Sequence, residues 1–386
     1  MPSILGDISV KDFLATHWQK KPLLIRNAFP DFVSPLSPDE VAGLACDEDV
    51  ESRIVESGND FRLRHGPFRE NDFAALPDRD WTLLVQDVEK HLPDLAELID
   101  RFAFIPAWRI DDLMISVAAA GGGVGPHVDA YDVFLLQANG RRRWSIAERF
   151  DPAVREGIDL KVLEHFSAEQ EWILEPGDML YLPPNVAHDG VALDDNCMTF
   201  SIGFRAPDAH GMLTDLVELV QQRLPDDSPA KTMYTDPDLA ANEAAGGKIS
   251  PEAFRRARSM IRDMLTMDDD FIDEWFGRFV TEPKAWLQVE PDASIDAAEL
   301  RDRLRAGDSL FRDTRSQLAW REKPSTLFVD GDAWPFDAAL TELVALLCTS
   351  RRLSESSLTR YLEDDATMNL LVRLYNHGSL YFIDAD

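Results

Sequence analysis

The sequence predicts an α+β protein: an antiparallel β-barrel or sandwich entered through helices, then a helical region, then a small winged-helix-like unit. Three observations predict it. Between residues 110 and 204, the runs MISVAA, DVFLLQ, RRRWSIA, WILEPG, DMLYLP and MTFSIGF are rich in apolar or β-branched residues and are separated by Gly, Pro and Asn turns. On both sides of that block, apolar residues recur at helical spacing. At 386 residues the chain is also long for one hydrophobic core, so two or three domains are expected.

In order, VKDFLATHWQKKPLLIRNAFPDF reads as a short amphipathic helix (Phe13, Leu14, Trp18) running into a buried strand over 22–25. Ser-Pro-Asp-Glu opens a helix over 38–46, and residues 80–98 show helical spacing around Leu83, Leu84, Val88 and Leu92. From Ile110 the texture changes to strands, with Ala138-Asn139-Gly140 predicting a hairpin turn. Apolar stripes at 209–224 (Met212, Leu213, Leu216, Leu219, Val220) and 251–279 (Phe254, Ala257, Ile261, Met264, Leu265) predict a helical middle region. Residues 225–250 between them are polar and rich in Pro and Gly, a long loop or lid. From about 305 the order is a hairpin in SQLAWRE and TLFVDGDAWPF, helices at 337–349 and 354–363, then helix, Gly and strand, as in a winged helix.

Asp and Glu number 70 against 39 Lys and Arg, a net charge of −31 that repels phosphate backbones and attracts basic partners. Direct DNA binding is therefore not expected. Cys46, Cys197 and Cys348 are few and scattered, as in a reducing cytoplasm. An acidic N-terminus and the absence of any apolar run of roughly 18 residues predict no targeting peptide and no membrane span.

The chemistry is carried by GGGVGPHVDAYDVFLLQANGRRRW and LEPGDMLYLPPNVAHDG, which set His127, Asp129 and His188 in an H-x-D…H arrangement. Residues two apart on a strand share a face, so His127 and Asp129 can hold one metal, with His188 arriving from elsewhere. The spacing follows both cupin motifs, with Asn185 where Gly is commoner and Asp129 in place of the second His. The usual Glu ligand position falls on Val133 or Phe134, leaving a three-ligand site with open positions, the facial arrangement of non-haem Fe(II) oxygenases. Their cosubstrate 2-oxoglutarate needs a cation for its far carboxylate. Arg141, Arg142 and Arg143 are the candidates, and alternation sends Arg142 to one face and the other two to the opposite face. Ser116 is placed to add a hydroxyl to the same pocket, and Tyr131 and Asp132, next to the metal, are candidate substrate contacts.

Taken together, FLATHWQKKPLLIRNAF, the two metal-bearing segments, SIGFRAP and YTDPD make the chain resemble, nearly end to end, the bacterial ribosomal oxygenases. These are JmjC-domain enzymes that hydroxylate an arginine β-carbon in the sixteenth large-subunit ribosomal protein. The resemblance implies a JmjC cupin-type double-stranded β-helix barrel with an N-terminal helical extension (1–207), a helical dimerisation region (208–300) and a winged-helix-like domain (301–386). It implies His127, Asp129 and His188 as iron ligands, Fe(II), 2-oxoglutarate and O2 as cofactor and cosubstrates, and Arg142 as partner of the far carboxylate. Ser116 and Met114 match positions near the cosubstrate and substrate, and a basic ribosomal protein and a homodimer are the implied partners. The segment Asp194 to Thr199 is one residue longer than the family pattern, with Thr199 where Asn is found, so the pocket at Thr199 and Ser201 is not carried over. The same triad permits hydroxylation of a ribosomal histidine or demethylation of another basic protein, and a cupin-like dimeric scaffold is the alternative of another class.

Overall fold

The computed structural model describes residues 3–58, 61–205, 207–223, 234, 249–265, 267–291 and 293–383. Most of the expected 225–250 loop and the TDPD segment lie outside the described residues. In chain order the first half contains α1 (Val10–Thr16), β1 (Leu23–Ile25), α2 (Pro38–Leu44), β2 (Ser52–Glu56), β3 (Arg62–His65), α3 (Glu70–Ala74), β4 (Trp81–Val85), α4 (Val88–His91) and α5 (Ala96–Asp100). The strand block follows: β5 (Ile110–Ala118), β6 (His127–Val128), β7 (Asp132–Asn139), β8 (Arg142–Ala147), β9 (Gln170–Leu174), β10 (Met179–Leu182), β11 (Ala187–Ala192) and β12 (Cys197–Phe204).

These strands form an eight-stranded sheet, ordered β1-β10-β7-β12-β5-β4-β2-β3, facing a four-stranded sheet ordered β6-β11-β8-β9. Period-two alternation gives the large sheet two faces. Leu113, Ile115, Phe134, Leu136, Phe200, Ile202 and Phe204 turn outward into a core completed by Phe13 of α1, Val41 of α2 and Ile99 of α5. Their neighbours turn inward. Val133 and Leu135 meet Trp144, Ile146 and Leu174 of the small sheet at one end of the intersheet space. Val133, Leu135 and Trp144 also border a cavity between the sheets, where inward polar side chains such as Thr82, Ser116, Arg142, His188, Thr199 and Ser201 join them.

Two sequence expectations are corrected here. Residues 80–98 are not one helix: Leu83 and Leu84 lie on opposite faces of β4, because a short continuous apolar run fits a buried strand as well as a helix. Helix begins only at Val88, in the short α4 and α5. The turn at Asn139-Gly140 does not close a hairpin. β7 pairs with β10 and β12, β8 with β9 and β11, so the turn, with Gly140 at φ +63°, is the corner that carries the chain between sheets.

Beyond the barrel run α6 (Ala209–Arg223), α7 (Pro251–Leu265) and α8 (Asp269–Thr281). The stripe at 251–279 is thus split, with Asp268 capping α8 by accepting from the Phe271 N–H. The last third contains α9 (Ala297–Ala306), β13 (Leu310–Arg312), the meander β14 (Leu318–Arg321), β15 (Thr326–Val329) and β16 (Asp332–Pro335), then α10 (Thr341–Thr349), β17 (Arg352–Leu353), α11 (Glu355–Leu358), α12 (Asp365–His377) and β18 (Leu380–Phe382). A separate core of Leu300, Leu304, Leu343, Leu347, Leu371 and Leu374 holds it together. Among the described residues no helix is long and apolar enough to cross a membrane.

Candidate metal centre

His127 on β6 and His188 on β11 are directly opposed partners in the small sheet, and Asp129 follows β6 by one residue. Each offers a ligand atom within 4.8 Å of the others, and this is the one such group among the described residues. Asp129 Oδ2 lies 3.9 Å from His127 Nε2 and 3.6 Å from His188 Nε2. Both imidazoles have Nδ1 at 2.9 Å from a backbone carbonyl, of Gly125 and of Val186. A carbonyl can only accept, so each Nδ1 carries a proton and each Nε2 lone pair is left for a metal. Burial, and then the neighbouring His127, hold His188 below the usual imidazole range, which keeps it an uncharged ligand.

The turn before β11 explains the unusual Asn185. It sits at φ +64°, where Asn is tolerated better than other side chains, and its N–H donates to the Asp129 carbonyl at 2.8 Å. The two metal-bearing segments are thereby locked together. Of the two positions where a fourth ligand was sought, Val133 lines the cavity and Phe134 belongs to the outer core. Neither can ligate.

The three arginines separate as alternation requires. Arg141 forms a bidentate pair with Asp194, and Arg143 lies 3.7 Å from Glu171 of the neighbouring edge strand β9. Arg142 is buried and lines the cavity; its Nη1 donates to the Gly190 carbonyl at 3.1 Å, while Nε and Nη2 have no hydrogen-bond partner among the described residues. Buried donors in that state are rare and call for an acceptor. A three-donor metal set and a guanidinium with two unpartnered nitrogens, lining one cavity of about 420 Å³, fit an iron ion and a dicarboxylate chelated to it.

Ser116, Met114, Thr199, Ser201 and Tyr131 line the same cavity. Ser116 Oγ donates to the Thr199 carbonyl at 3.4 Å, and Thr199 Oγ1 donates to Gln137 Oε1 at 3.1 Å. Asp132 does not belong with them. As the strand neighbour of the inward Val133 it turns outward and is fully buried, accepting from Tyr181 Oη at 2.6 Å and Gln19 Nε2 at 3.0 Å, with Arg109 at 3.4 Å. Its role is to tie the N-terminal segment to the barrel. A carboxylate missed in the sequence takes a place in the cavity instead: Asp112, in alternation with Met114 and Ser116 on β5. Burial, reinforced by Asp111 and Glu89 and opposed by Lys284, pushes its carboxyl up to about 7. The Asp-Asp pair before MISVAA was its only trace.

The double-sheet barrel with its H-x-D…H donors defines a JmjC-domain protein: the JmjC domain model matches residues 97–212 and a ROXA-like winged helix model matches residues 264–381. The chain is 34% identical over 374 residues, 96% of its length and 97% of the relative's, to the ribosomal protein uL16 3-hydroxylase of Escherichia coli. It is 33% identical over 340 residues, covering 84% of this chain and 82% of the other, to a probable ribosomal oxygenase of Haemophilus influenzae. The structure of YcfD, a ribosomal oxygenase from Escherichia coli, in complex with cobalt and 2-oxoglutarate superposes with a TM-score of 0.82 at 34% identity, over 98% of this chain and 99% of that one. The chain belongs to the ribosomal oxygenase family.

Proposed function

We propose that this protein is an Fe(II)- and 2-oxoglutarate-dependent oxygenase that hydroxylates an arginine side chain of ribosomal protein uL16. One observation carries the reading: a single cavity joins three metal donors, a buried guanidinium with two unpartnered nitrogens, and the buried carboxyl of Asp112. Bound iron and 2-oxoglutarate supply, with O2, the oxidation of an unactivated C–H bond, the cosubstrate leaving as succinate and carbon dioxide. His127, Asp129 and His188 hold the metal on one side only. Arg142, with Ser116 beside it, takes the far carboxylate of the cosubstrate in parallel hydrogen bonds. Asp112 pairs with the incoming guanidinium while Met114, Ser201 and Tyr131 wall its path, so one carbon is held toward the metal and water is kept out. The net charge of −31 steers a basic ribosomal segment to the mouth.

The test is mass spectrometry of uL16 after incubation with the protein, iron and 2-oxoglutarate. One added oxygen on an arginine is expected; oxygen on a histidine, or a lost methyl group, would favour the related chemistries, and no change at all would sink the reading.

Asp112 makes the reaction pH-dependent. A carboxyl whose folded-state value, about 7, exceeds its ordinary 3.8 binds more protons folded than unfolded between those values. Its contribution therefore favours the fold at low pH and is lost as pH rises through about 7. Asp112→Asn should melt above the parent at about pH 8, with the gap narrowing as pH falls and closing only near pH 4. A guanidinium partner needs the ionised form, so the parent's KM for uL16 should fall as pH rises through about 7, whereas Asp112→Asn keeps a high, flat KM. Equal KM profiles would remove Asp112 from substrate binding.

Residues 1–207 are the catalytic unit in this proposal, 208–300 the dimerisation region and 301–386 the winged-helix unit. Leu213, Phe254 and Ile261 on α6 and α7 are each at least half exposed, an apolar stripe that suits a second copy of the chain. Light scattering should give the mass of two chains; that of one would overturn the homodimer. The winged helix serves no DNA in so acidic a protein, and a ribosomal substrate places the work in the cytoplasm.

A further inference from the structure

Among the described residues, eight buried side-chain nitrogens and oxygens lack a hydrogen-bond partner, and four of the eight belong to residues that line this one cavity. Two belong to Arg142. The others are Oγ1 of Thr82 and Nε1 of Trp144, in side chains 1% and 6% exposed. Such groups cost the fold free energy unless something is bound to them, and their clustering in one place points to the same ligand.

Their positions say how that ligand lies. Thr82 is inward on β4, opposite Ala118 of β5, and Ser116 is the next inward residue on that strand, so the two hydroxyls are diagonal neighbours on one face. Trp144 and Arg142 are successive inward residues of β8. The Arg142 guanidinium carbon and the His188 ring each lie 5.9 Å from the indole centroid, and along β8 Trp144 falls between Arg142 and Ile146, the residue opposite His188. The indole thus spans the interval between cosubstrate anchor and metal donors. Gly190 leaves room for it: a Cβ there would fall 2.6 Å from the benzo edge of Trp144, the edge opposite its N–H.

We infer that Thr82 and Trp144 are binding residues for the 2-oxoglutarate dicarboxylate, Thr82 Oγ–H donating to the far carboxylate beside Ser116 and Arg142, and Trp144 Nε1–H donating to the same ligand where it crosses the indole. The inference rests on the proposed cosubstrate and assigns two donors to it. The carboxylate has lone pairs for all of them.

Thr82→Val keeps the branched shape and removes the hydroxyl; Trp144→Phe keeps an aromatic wall and removes the N–H. Calorimetric titration of 2-oxoglutarate into Mn(II)-loaded protein should show each variant binding roughly ten- to a hundredfold more weakly than the parent, the range of a hydrogen bond to a charged group, with Mn(II) affinity unchanged. Thermal melts of metal-free Thr82→Val should match or exceed the parent, because an unsatisfied buried hydroxyl has been removed. Parent-like 2-oxoglutarate affinity in both variants overturns the inference. Failure of the parent itself to bind 2-oxoglutarate overturns instead the function on which it rests.

Discussion

Asp129→Ala should lose metal and turnover together. Asp129 is the one anion of the set, and its Oδ2 lies within 3.9 Å of both imidazole Nε2 atoms. Without it, two neutral imidazoles face a dication with neither the third donor nor the charge that offsets it. Loss of an outer hydrogen-bond partner at a metal site typically costs about 10- to 100-fold in metal affinity or activity, so loss of a ligand should cost more than about 100-fold. The fold should persist, because Asp129 is partly exposed and the segment remains anchored by the hydrogen bond from the Asn185 N–H to the Asp129 carbonyl. Metal content and the mass of treated uL16 check it. Stoichiometric iron and an added oxygen in the variant would mean that the metal sits elsewhere.

Arg142→Met should keep the metal and lose the cosubstrate. The methionine fills much of the same volume, but the far carboxylate would then be buried without a cation. Truncating one partner of a buried charge pair costs about 2–5 kcal/mol, from roughly 30-fold to more than a thousandfold in the 2-oxoglutarate constant. Arg142→Lys should recover only part, since an ammonium cannot reproduce the fork that leaves Nε and Nη2 free. Succinate formation against 2-oxoglutarate concentration is the measurement, with metal affinity as control. An unchanged KM would hand the anchor to another group.

The donors were legible because their chemistry is local: H-x-D in a glycine-rich turn, and a histidine ending a spaced turn-and-strand run. Alternation likewise narrowed three arginines to two possibilities, and of the three Arg142 is the one buried against the cavity. What sequence could not show was which face of a strand meets the cavity. Tyr131 and Asp132 look equivalent as neighbours of the metal, yet one lines the site and the other is sealed beneath the N-terminal segment. Asp112 was passed over for the same reason, its role depending on β5 presenting the face it shares with Ser116. β2 and β3 escaped notice because their charged residues, Arg53, Glu56, Arg62 and Arg64, mask a strand at the edge of the sheet. Leu83 and Leu84 misled because adjacent leucines suit a helix and a doubly buried strand alike.

The seam between the N-terminal segment and β10 also sets an order of events. Among the described residues β1 pairs with β10 alone, and Gln19 donates its backbone N–H to the Tyr181 hydroxyl across 162 residues of chain. As the polypeptide leaves the ribosome, its first strand must wait for its partner, and His127 must wait for His188. The waiting segment carries Phe13 and Trp18, which are covered in the finished molecule by Tyr181 and Phe204. Phe104 and Phe134 reach Phe13 earlier, but until residue 181 and then 204 emerge both rings lack part of their cover, and in that interval this nascent chain is more exposed to aggregation than after it.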